Sequence, residues 1–360
     1  MVAVTFRGRY HRRMPRRTPS VPARERRARR GSGRITLADV AKLAGVSAIT
    51  ASRALNTPDR VSPDALQRVR EAIERTGYVP NMLAGGLAST RSRLVAAVVP
   101  TIAGPVFLET IEALTEALAE SGYQLMLGQS GYANSREDAL LDAIIGRRPD
   151  GIMLTGIMRS AAGRRRLLAA GIPVVETWDL TPTPIDMLVG FSHEKVGTAA
   201  AEYLHAHGRR RLAIVTADDP RAGVRRESFV QTVGRLGIAE VAVCVVPAPS
   251  ALGHGRSGLA DLLARRPDVD AVFCSSDVLA LGVITEAQAR AISVPGRLAV
   301  FGFGDFAFAR DTYPALTTIR IDGTGIGRQA ARFIIDRAEG RPVADRVVDV
   351  GFSIVQRASA

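Results

Sequence analysis

From Leu94 onward, short apolar runs alternate with stretches of helical periodicity, and this rhythm restricts the fold more tightly than any other feature of the chain. Leu94 to Val99 precedes Phe107 to Glu120, Gln124 to Leu127 precedes Arg136 to Ile145, and Gly151 to Thr155 precedes Arg164 to Ala170. Strands that pair in parallel need a long crossover, and the helix-period stretches supply it, so the pattern predicts βαβ units. It recurs at Val174 to Thr177, Leu188 to Gly190, the helix Val196 to His205, Leu212 to Thr216, Ala271 to Cys274 and Leu298 to Phe303. So many strands point to two sheets rather than one. The 360 residues also exceed what one hydrophobic core organises, so further domains are expected.

Residues 35 to 80 lack this alternation and read as three short helices. Thr36 caps the first, with Asp39 at the third helical position in a capping-box-like start, and Leu37, Val40, Ala41 and Ala44 form its apolar stripe. Gly45 supplies the turn, Val46 packs the corner, and Ser47 caps a second helix, Ala48 to Leu55. Ser62, Pro63 and Gly77 mark the ends of a third. Small residues at the crossing, glycine at the turn and serine opening the second helix are what a helix-turn-helix requires. In DNA binders the second helix enters the major groove.

The net charge of +13 looks like a nucleic-acid signature, but residues 1 to 34 hold twelve arginines and one acid, Glu25, leaving +2 for the rest. Residues 1 to 34 are too poor in apolar side chains to build a core and read as a disordered Arg-rich arm. That arm reads as a phosphate-binding extension, a solvated tail, or an upstream extension for which Met14 is the internal start. No apolar segment follows the paired arginines and no run of apolar residues is long enough to span a membrane, so a cytoplasmic, nucleoid-associated bacterial protein is expected. Cys244 and Cys274 are too few for a disulfide framework and read as buried free thiols.

The segment from Thr36 to Asn56 closely resembles the DNA-binding signature of the lac repressor family. Tyr78 to Ala88 resembles that family's hinge helix, with Leu87 at the position of the leucine that wedges into the minor groove. Gly85 and Gly86 depart from the family habit and weaken the helix by about 1 kcal/mol each. The hinge therefore reads either as a helix that folds only on DNA or as a flexible glycine linker. Gly171 to Val175, Phe191 to Glu194, Gly208 to Leu212, Phe273 to Asp277, Val300 to Asp305 and Pro314 to Ile319 resemble landmarks of the family's ligand core, which has the fold of periplasmic sugar-binding proteins.

The resemblance implies an α/β chain with an N-terminal three-helix helix-turn-helix domain, a hinge and two Rossmann-like lobes. The boundaries are 1–34 for the arm, 35–80 for the DNA-binding domain, 81–93 for the hinge and 94–360 for the core. Within the core, the N-lobe takes about 94–189 and 323–344, and the C-lobe about 190–322 and 345–360. The strand Val347 to Val355 is read as the last, with no extension after it for tetramerisation.

In the second helix, Ala48 and Ile49 occupy the family's base-discriminating positions. Both are apolar and can act only through thymine methyls or by excluding bulk, which leaves polar readout to Thr50, Ser52 and Arg53, with Arg53 the leading base contact. Thr36, Ser47 and Asn56 suit phosphate contacts, and Asn56 reads equally as an ordinary helix-terminal residue. For the effector, the resemblance makes Arg225 the cationic contact, places Ser276 where relatives often carry Asn, and makes Phe191 a pocket wall, with Thr101 and Phe107 lining the first lobe. Two acids usual in the family are replaced, by Gly304 and by Trp178, and their loss favours a ligand with its own negative charge. The stretches around Glu176 to Asp179, Pro184 to Phe191 and Gly128 to Tyr132 resemble the gluconate-utilisation repressor branch, so a gluconate-like sugar acid is expected.

Gly323-Thr-Gly-Ile-Gly327 superficially matches a dinucleotide loop, but no βαβ unit with a ribose-binding acid follows it, and no cofactor is expected. The histidines, cysteines and acids show no metal-ligand spacing, and no nucleophile elbow or paired-acid motif is present, so the chain does not read as an enzyme. The expected partners are double-stranded DNA with a pseudo-palindromic operator, a sugar or sugar-acid effector that relieves repression, and a second copy of the chain, since one recognition helix reads only a half-site. A periplasmic-type sugar-binding protein, or a global regulator with a protein co-effector, are the alternatives.

Overall fold

The computed structural model describes residues 35–79, 91–102, 104–131 and 134–360, and falls into two compact units divided between Asn81 and Met82. The arm of residues 1 to 34 and the hinge leucine Leu87 lie outside the described residues.

The N-terminal unit holds helices α1 (Leu37–Ala44), α2 (Ala48–Asn56) and α3 (Pro63–Thr76). Its caps are those expected: Thr36 and Asp39 form a reciprocal capping box, the Ser47 hydroxyl accepts from the Thr50 amide at 3.1 Å, and the Ser62 hydroxyl accepts from the Ala65 amide. Gly45 and Gly77 end α1 and α3 in the left-handed region, at φ 63° and 62°, which glycine enters without a Cβ clash. The helices close on a core of Val40, Ala41, Ala44, Ala51, Ala54, Val69 and Ala72. Five alanines among these seven let the short helices approach closely.

The larger unit begins with β1 (Leu94–Val99), α4 (Leu108–Glu120), β2 (Gln124–Gln129), α5 (Asn134–Ile145), β3 (Gly151–Thr155), α6 (Ala161–Ala170), β4 (Val174–Thr177) and β5 (Met187–Gly190). It continues with α7 (His193–Ala206), β6 (Leu212–Ala217), α8 (Pro220–Arg235), β7 (Ala242–Val246), α9 (Leu252–Arg265), β8 (Ala271–Cys274), α10 (Asp277–Ala289), β9 (Ala299–Phe303) and β10 (Thr317–Arg320). It ends with α11 (Gly323–Ala338), β11 (Val347–Asp349) and β12 (Ser353–Val355). Two six-stranded sheets result, in the orders β11-β5-β4-β3-β1-β2 and β12-β10-β9-β8-β6-β7, parallel throughout except for the β10–β12 pair. Alternate residues of each strand serve opposite faces: Val95 and Ala97 pack with Leu114 and Leu118 of α4 and Ile334 of α11, whereas Ala96 and Val98 pack with Leu141 and Ile144 of α5. The second sheet is covered likewise, by α7 and α8 on one face and α9 and α10 on the other.

The glycines of the Gly323–Gly327 stretch serve packing. A Cβ at Gly327 would collide with the Thr110 carbonyl of α4, so the stretch that resembles a phosphate cradle is the start of α11 and lets that helix lie directly on α4.

The structure corrects two readings of the C-terminal segment. Val347 to Val355 is not one strand: Asp349 accepts from the Gly351 amide at 2.9 Å, Gly351 turns at φ 63°, and the chain leaves the first sheet for the second. The C-lobe therefore does not take in all of 345–360. β11 pairs with β5 of the first lobe, and only the residues from β12 onward join the second. Helix α7 also starts three residues before Val196, because Ser192 caps it by accepting from the Lys195 amide. The half-exposed edge strand β7 has no counterpart among the expected strands. Cys274 is buried, but Cys244, on that edge strand, is only half-buried.

Candidate functional site

In the N-terminal unit, the exposed part of α2 is the candidate DNA-reading surface. Ala48 and Ile49 both face solvent, and Ile49 is 66% exposed with no core function. The polar residues around them are unequal. Thr50 is tied to the Ser47 hydroxyl at 2.9 Å, and Thr36 donates to the Asp39 carboxylate at 2.7 Å. Asn56 folds back to the Ser52 carbonyl at 2.9 Å, which supports its reading as a helix-terminal residue. Arg53 is exposed, and its guanidinium has no hydrogen bond or ion pair among the described residues. It is the charged donor of α2 left free for a base edge or phosphate.

In the larger unit, a cleft lies where the carboxyl ends of strands from both sheets meet, the place where open α/β sheets bind ligands. Phe107 and Trp178 come from the first lobe; Arg225, Ser276, His193 and Phe303 come from the second. The aromatic wall is built edge to face: the Phe107 and Trp178 rings lie 5.2 Å apart at 90°, and Phe191 packs behind Trp178 at 5.9 Å.

Arg225 dominates the electrostatics. It is 5% exposed, its guanidinium lies 4.1 Å from the Phe303 ring centre, and it donates to His193 Nδ1 at 2.8 Å and to the Ser275 carbonyl at 3.1 Å. Its Nε has no hydrogen-bond partner among the described residues, and no carboxylate there forms an ion pair with it. Burial pulls its pKa down from 12.5 to about 10, opposed by the charge of Asp219. Asp219 itself is committed to capping α8, accepting from the Arg221 and Ala222 amides. Burial, then the positive charge of Arg225 and Arg221, holds His193 well below the usual imidazole value, so the ring is neutral. Arg221 spans the cleft, with its guanidinium 5.1 Å from the Phe107 ring centre and 3.5 Å from the Thr155 carbonyl.

The structure thus brings together Phe107, Trp178, Arg225 and Ser276. It leaves three expected effector residues out of the lining. Phe191 is fully buried behind the wall, Thr101 is buried elsewhere, and Gly304 presents only backbone: at φ 128° a Cβ there would strike the Phe306 ring. His193, Arg221, Asp219 and Phe303 were not assigned from sequence, although His193 and Phe303 fall inside the quoted landmarks.

Backbone geometry fixes the Trp178 wall. Trp178 sits at φ 64°, costly for a side chain with a Cβ, and Gly190 lets the Asp179 backbone pass so closely that a Cβ would overlap the Asp179 carbonyl. Gly190→Ala is expected to destabilise the unit by about 1–3 kcal/mol and to weaken effector binding by displacing Trp178. Urea denaturation monitored by the single tryptophan checks this, and wild-type stability would refute it.

A second buried group supports the cleft floor. Asp277, at the start of α10, accepts from the Thr318 hydroxyl at 2.6 Å and the Phe306 amide at 2.9 Å, and burial raises its pKa from 3.8 to about 6. A folded-state value above the unfolded one favours the fold fully below about pH 4, and that advantage disappears as pH rises through about 6. The rise corresponds to about 3 kcal/mol. Wild type is therefore expected to gain stability relative to Asp277→Asn on going from neutral pH to about pH 5. Paired denaturation curves at the two pH values decide it, and a constant difference counts against it.

Comparison with known proteins assigns these two units to one family. A model described as bacterial regulatory proteins, lacI family, matches residues 36–81, and one described as a periplasmic binding protein-like domain matches residues 201–360. The HTH-type transcriptional regulator GntR of Pseudomonas aeruginosa is 40% identical over 332 residues, covering 92% of this chain and 97% of the relative. The chain belongs to the lacI family of bacterial regulatory proteins. Within the family it is also similar to the HTH-type transcriptional repressor CytR of Escherichia coli K12, 30% identical over 86% of this chain and 91% of the relative. A crystal structure of a LacI family regulator from Silicibacter pomeroyi superposes with a TM-score of 0.85 at 32% identity, covering 90% of this chain and 99% of that one. Family membership makes the chain a DNA-binding transcriptional regulator. Among the described residues, no helix is long and apolar enough to cross a membrane.

Proposed function

We propose that the chain is a repressor released by a small sugar acid, with a gluconate-like aldonate as the best-fitting effector class. The observation that carries this reading is Arg225: a buried guanidinium with an unpartnered Nε and no carboxylate in contact among the described residues. The charges of Asp219 and Asp179 act on this cation only from a distance, and a ligand carboxylate would meet it directly through short, charge-assisted hydrogen bonds. The aromatic rings of Phe107, Trp178 and Phe303 offer apolar faces to the carbon skeleton, and the Ser276 hydroxyl, which also meets Ser250 at 3.1 Å, offers a partner for a ligand hydroxyl. Nothing in this arrangement calls for a catalytic step.

On this reading the regulator works in the bacterial cytoplasm as a homodimer on a pseudo-palindromic operator, and aldonate binding and operator binding oppose each other reciprocally. The hinge, with Leu87 as its wedge, links the two events by folding when DNA is bound. Circular dichroism is expected to show a gain of helix on mixing the protein with operator, and identical spectra would remove the folding step.

The principal test is fluorescence anisotropy of an operator selected in vitro, titrated against a panel of aldonates and neutral sugars. Aldonates are expected to release the DNA and neutral sugars are not. Release by a neutral sugar alone would overturn the acid assignment.

A further inference from the structure

His193 has both ring nitrogens committed to partners on opposite sides of the cleft. Its Nε2 lies 2.9 Å from the Trp178 carbonyl oxygen, which can only accept, so Nε2 carries the proton. Nδ1 is then the lone-pair nitrogen and accepts from Arg225. The tautomer is set by these partners rather than by solvent. The connection continues in both directions: the Trp178 indole donates to the Thr110 hydroxyl at 3.1 Å, and that hydroxyl donates to the Gly323 carbonyl at 2.9 Å. On the other side Arg225 reaches the Ser275 carbonyl. Hydrogen bonds, joined through the side chain and backbone of Trp178, thus run from α4 and α11 of the first lobe, through the cleft wall, to the end of β8 in the second.

We propose that His193 is a positioning residue with two separable tasks: its Nδ1 holds the Arg225 guanidinium in place for the effector's acid, and its Nε2 ties that guanidinium to Trp178 on the facing lobe. Occupancy of the cleft is passed to the first lobe through this ring. The inference rests on the sugar-acid reading for its ligand. The strained backbone of Trp178 gives the link a conformation to lose, since φ 64° is held by the bond to His193 and by the Trp178 amide, which donates to Val189. The cations facing the ring are Arg225, Arg221 and Arg159, and Asp179, Arg159 and Glu194 share the adjoining cleft with it. A proton on Nδ1 would confront Arg225 directly, so the relay requires a neutral ring.

Two amide substitutions separate the tasks. The amide oxygen of His193→Asn retains an acceptor near Nδ1, whereas the amide nitrogen of His193→Gln retains a donor near Nε2. With gluconate as probe and the full chain on selected operator DNA, His193→Gln is expected to weaken gluconate about tenfold or more, the range of a lost hydrogen bond to a charged group. His193→Asn is expected to lose less gluconate affinity than His193→Gln while at least halving, on a logarithmic scale, the factor by which gluconate weakens operator binding. The emission of Trp178, the only tryptophan, should change with gluconate in wild type and lose that change in His193→Asn. Wild-type affinity and wild-type release in both variants would overturn the proposal.

If wild type binds no aldonate, the sugar-acid reading fails, and the positioning claim is decided on the unliganded protein. Long-range nitrogen–proton NMR spectra should show His193 as a neutral Nε2–H tautomer between about pH 5.5 and 8, with its Nδ1 shift altered in Arg225→Met. Titration of His193 near the ordinary imidazole value, or no response to Arg225→Met, would overturn it whatever the variants do.

Discussion

Arg225→Met is expected to abolish the response to sugar acids while changing the stability of the fold only modestly. The two effects come from the same physical fact. In the unliganded chain the guanidinium is buried with no carboxylate in contact, and its burial costs solvation that its three neighbours, His193, the Ser275 carbonyl and the Phe303 ring, only partly return. Methionine fills much the same volume without the charge. Exchanging a buried ion for an apolar side chain of similar size is commonly neutral or stabilising by about 1–4 kcal/mol, and here the loss of two hydrogen bonds to a charged group, about 1.5–3 kcal/mol each, offsets that gain. Ligand affinity has no such offset. Removing one partner of a buried, charge-assisted pair costs about 2–5 kcal/mol, a loss of roughly 30-fold to several thousandfold. Calorimetry with gluconate and urea denaturation of the same variant measure both halves. Strong destabilisation with intact binding would show that Arg225 is a structural ion rather than the effector contact.

The sequence displays the positions of helices and strands far better than the make-up of the cleft. Thr36, Gly45, Ser47, Ser62, Pro63 and Gly77 mark helix ends by local chemistry, and each acts within a few residues of itself, so the three-helix unit is legible almost completely. The parallel sheets are legible for a related reason: alternation of apolar runs with crossover helices is a property of contiguous segments. The cleft is assembled differently. Phe107, Trp178, Ser276 and Phe303 come from loops or strand ends, His193 and Arg225 from helices α7 and α8, and only the topology brings them together. Resemblance to a family recovers the positions that relatives use in common, and Arg225 and Ser276 are of that kind. It does not recover His193, whose importance depends on a carbonyl fifteen residues earlier and a guanidinium on another helix. The break of Val347 to Val355 into two strands of different sheets is hidden by a continuous β-like composition, with only Asp349 and Gly351 to mark the turn.

The opposite end of the chain carries the second large expected effect. Arg53→Ala should lower affinity for the selected operator by about 1–3 kcal/mol per half-site, the value of a bidentate base contact, and roughly twice that for a dimer engaging both half-sites. The structural argument is one of elimination along α2. Thr50 is occupied by Ser47, Asn56 by the Ser52 carbonyl, Ser52 offers one short hydroxyl that accepts from Asn56, and Ala48 and Ile49 have no polar atoms beyond the backbone, so Arg53 is the one charged side chain of α2 and its guanidinium donors are free among the described residues. A base-reading arginine and a phosphate-binding one leave different traces. If Arg53 reads a base, affinity for the selected operator falls while affinity for random DNA barely changes, and tolerance for substitution at one base pair of each half-site increases. If it only neutralises a phosphate, both affinities fall together and the salt dependence flattens by about one unit of slope for each phosphate no longer neutralised. Binding isotherms on cognate and random duplexes at several salt concentrations distinguish these outcomes, and a parallel fall would move sequence discrimination in this regulator to the apolar pair Ala48 and Ile49.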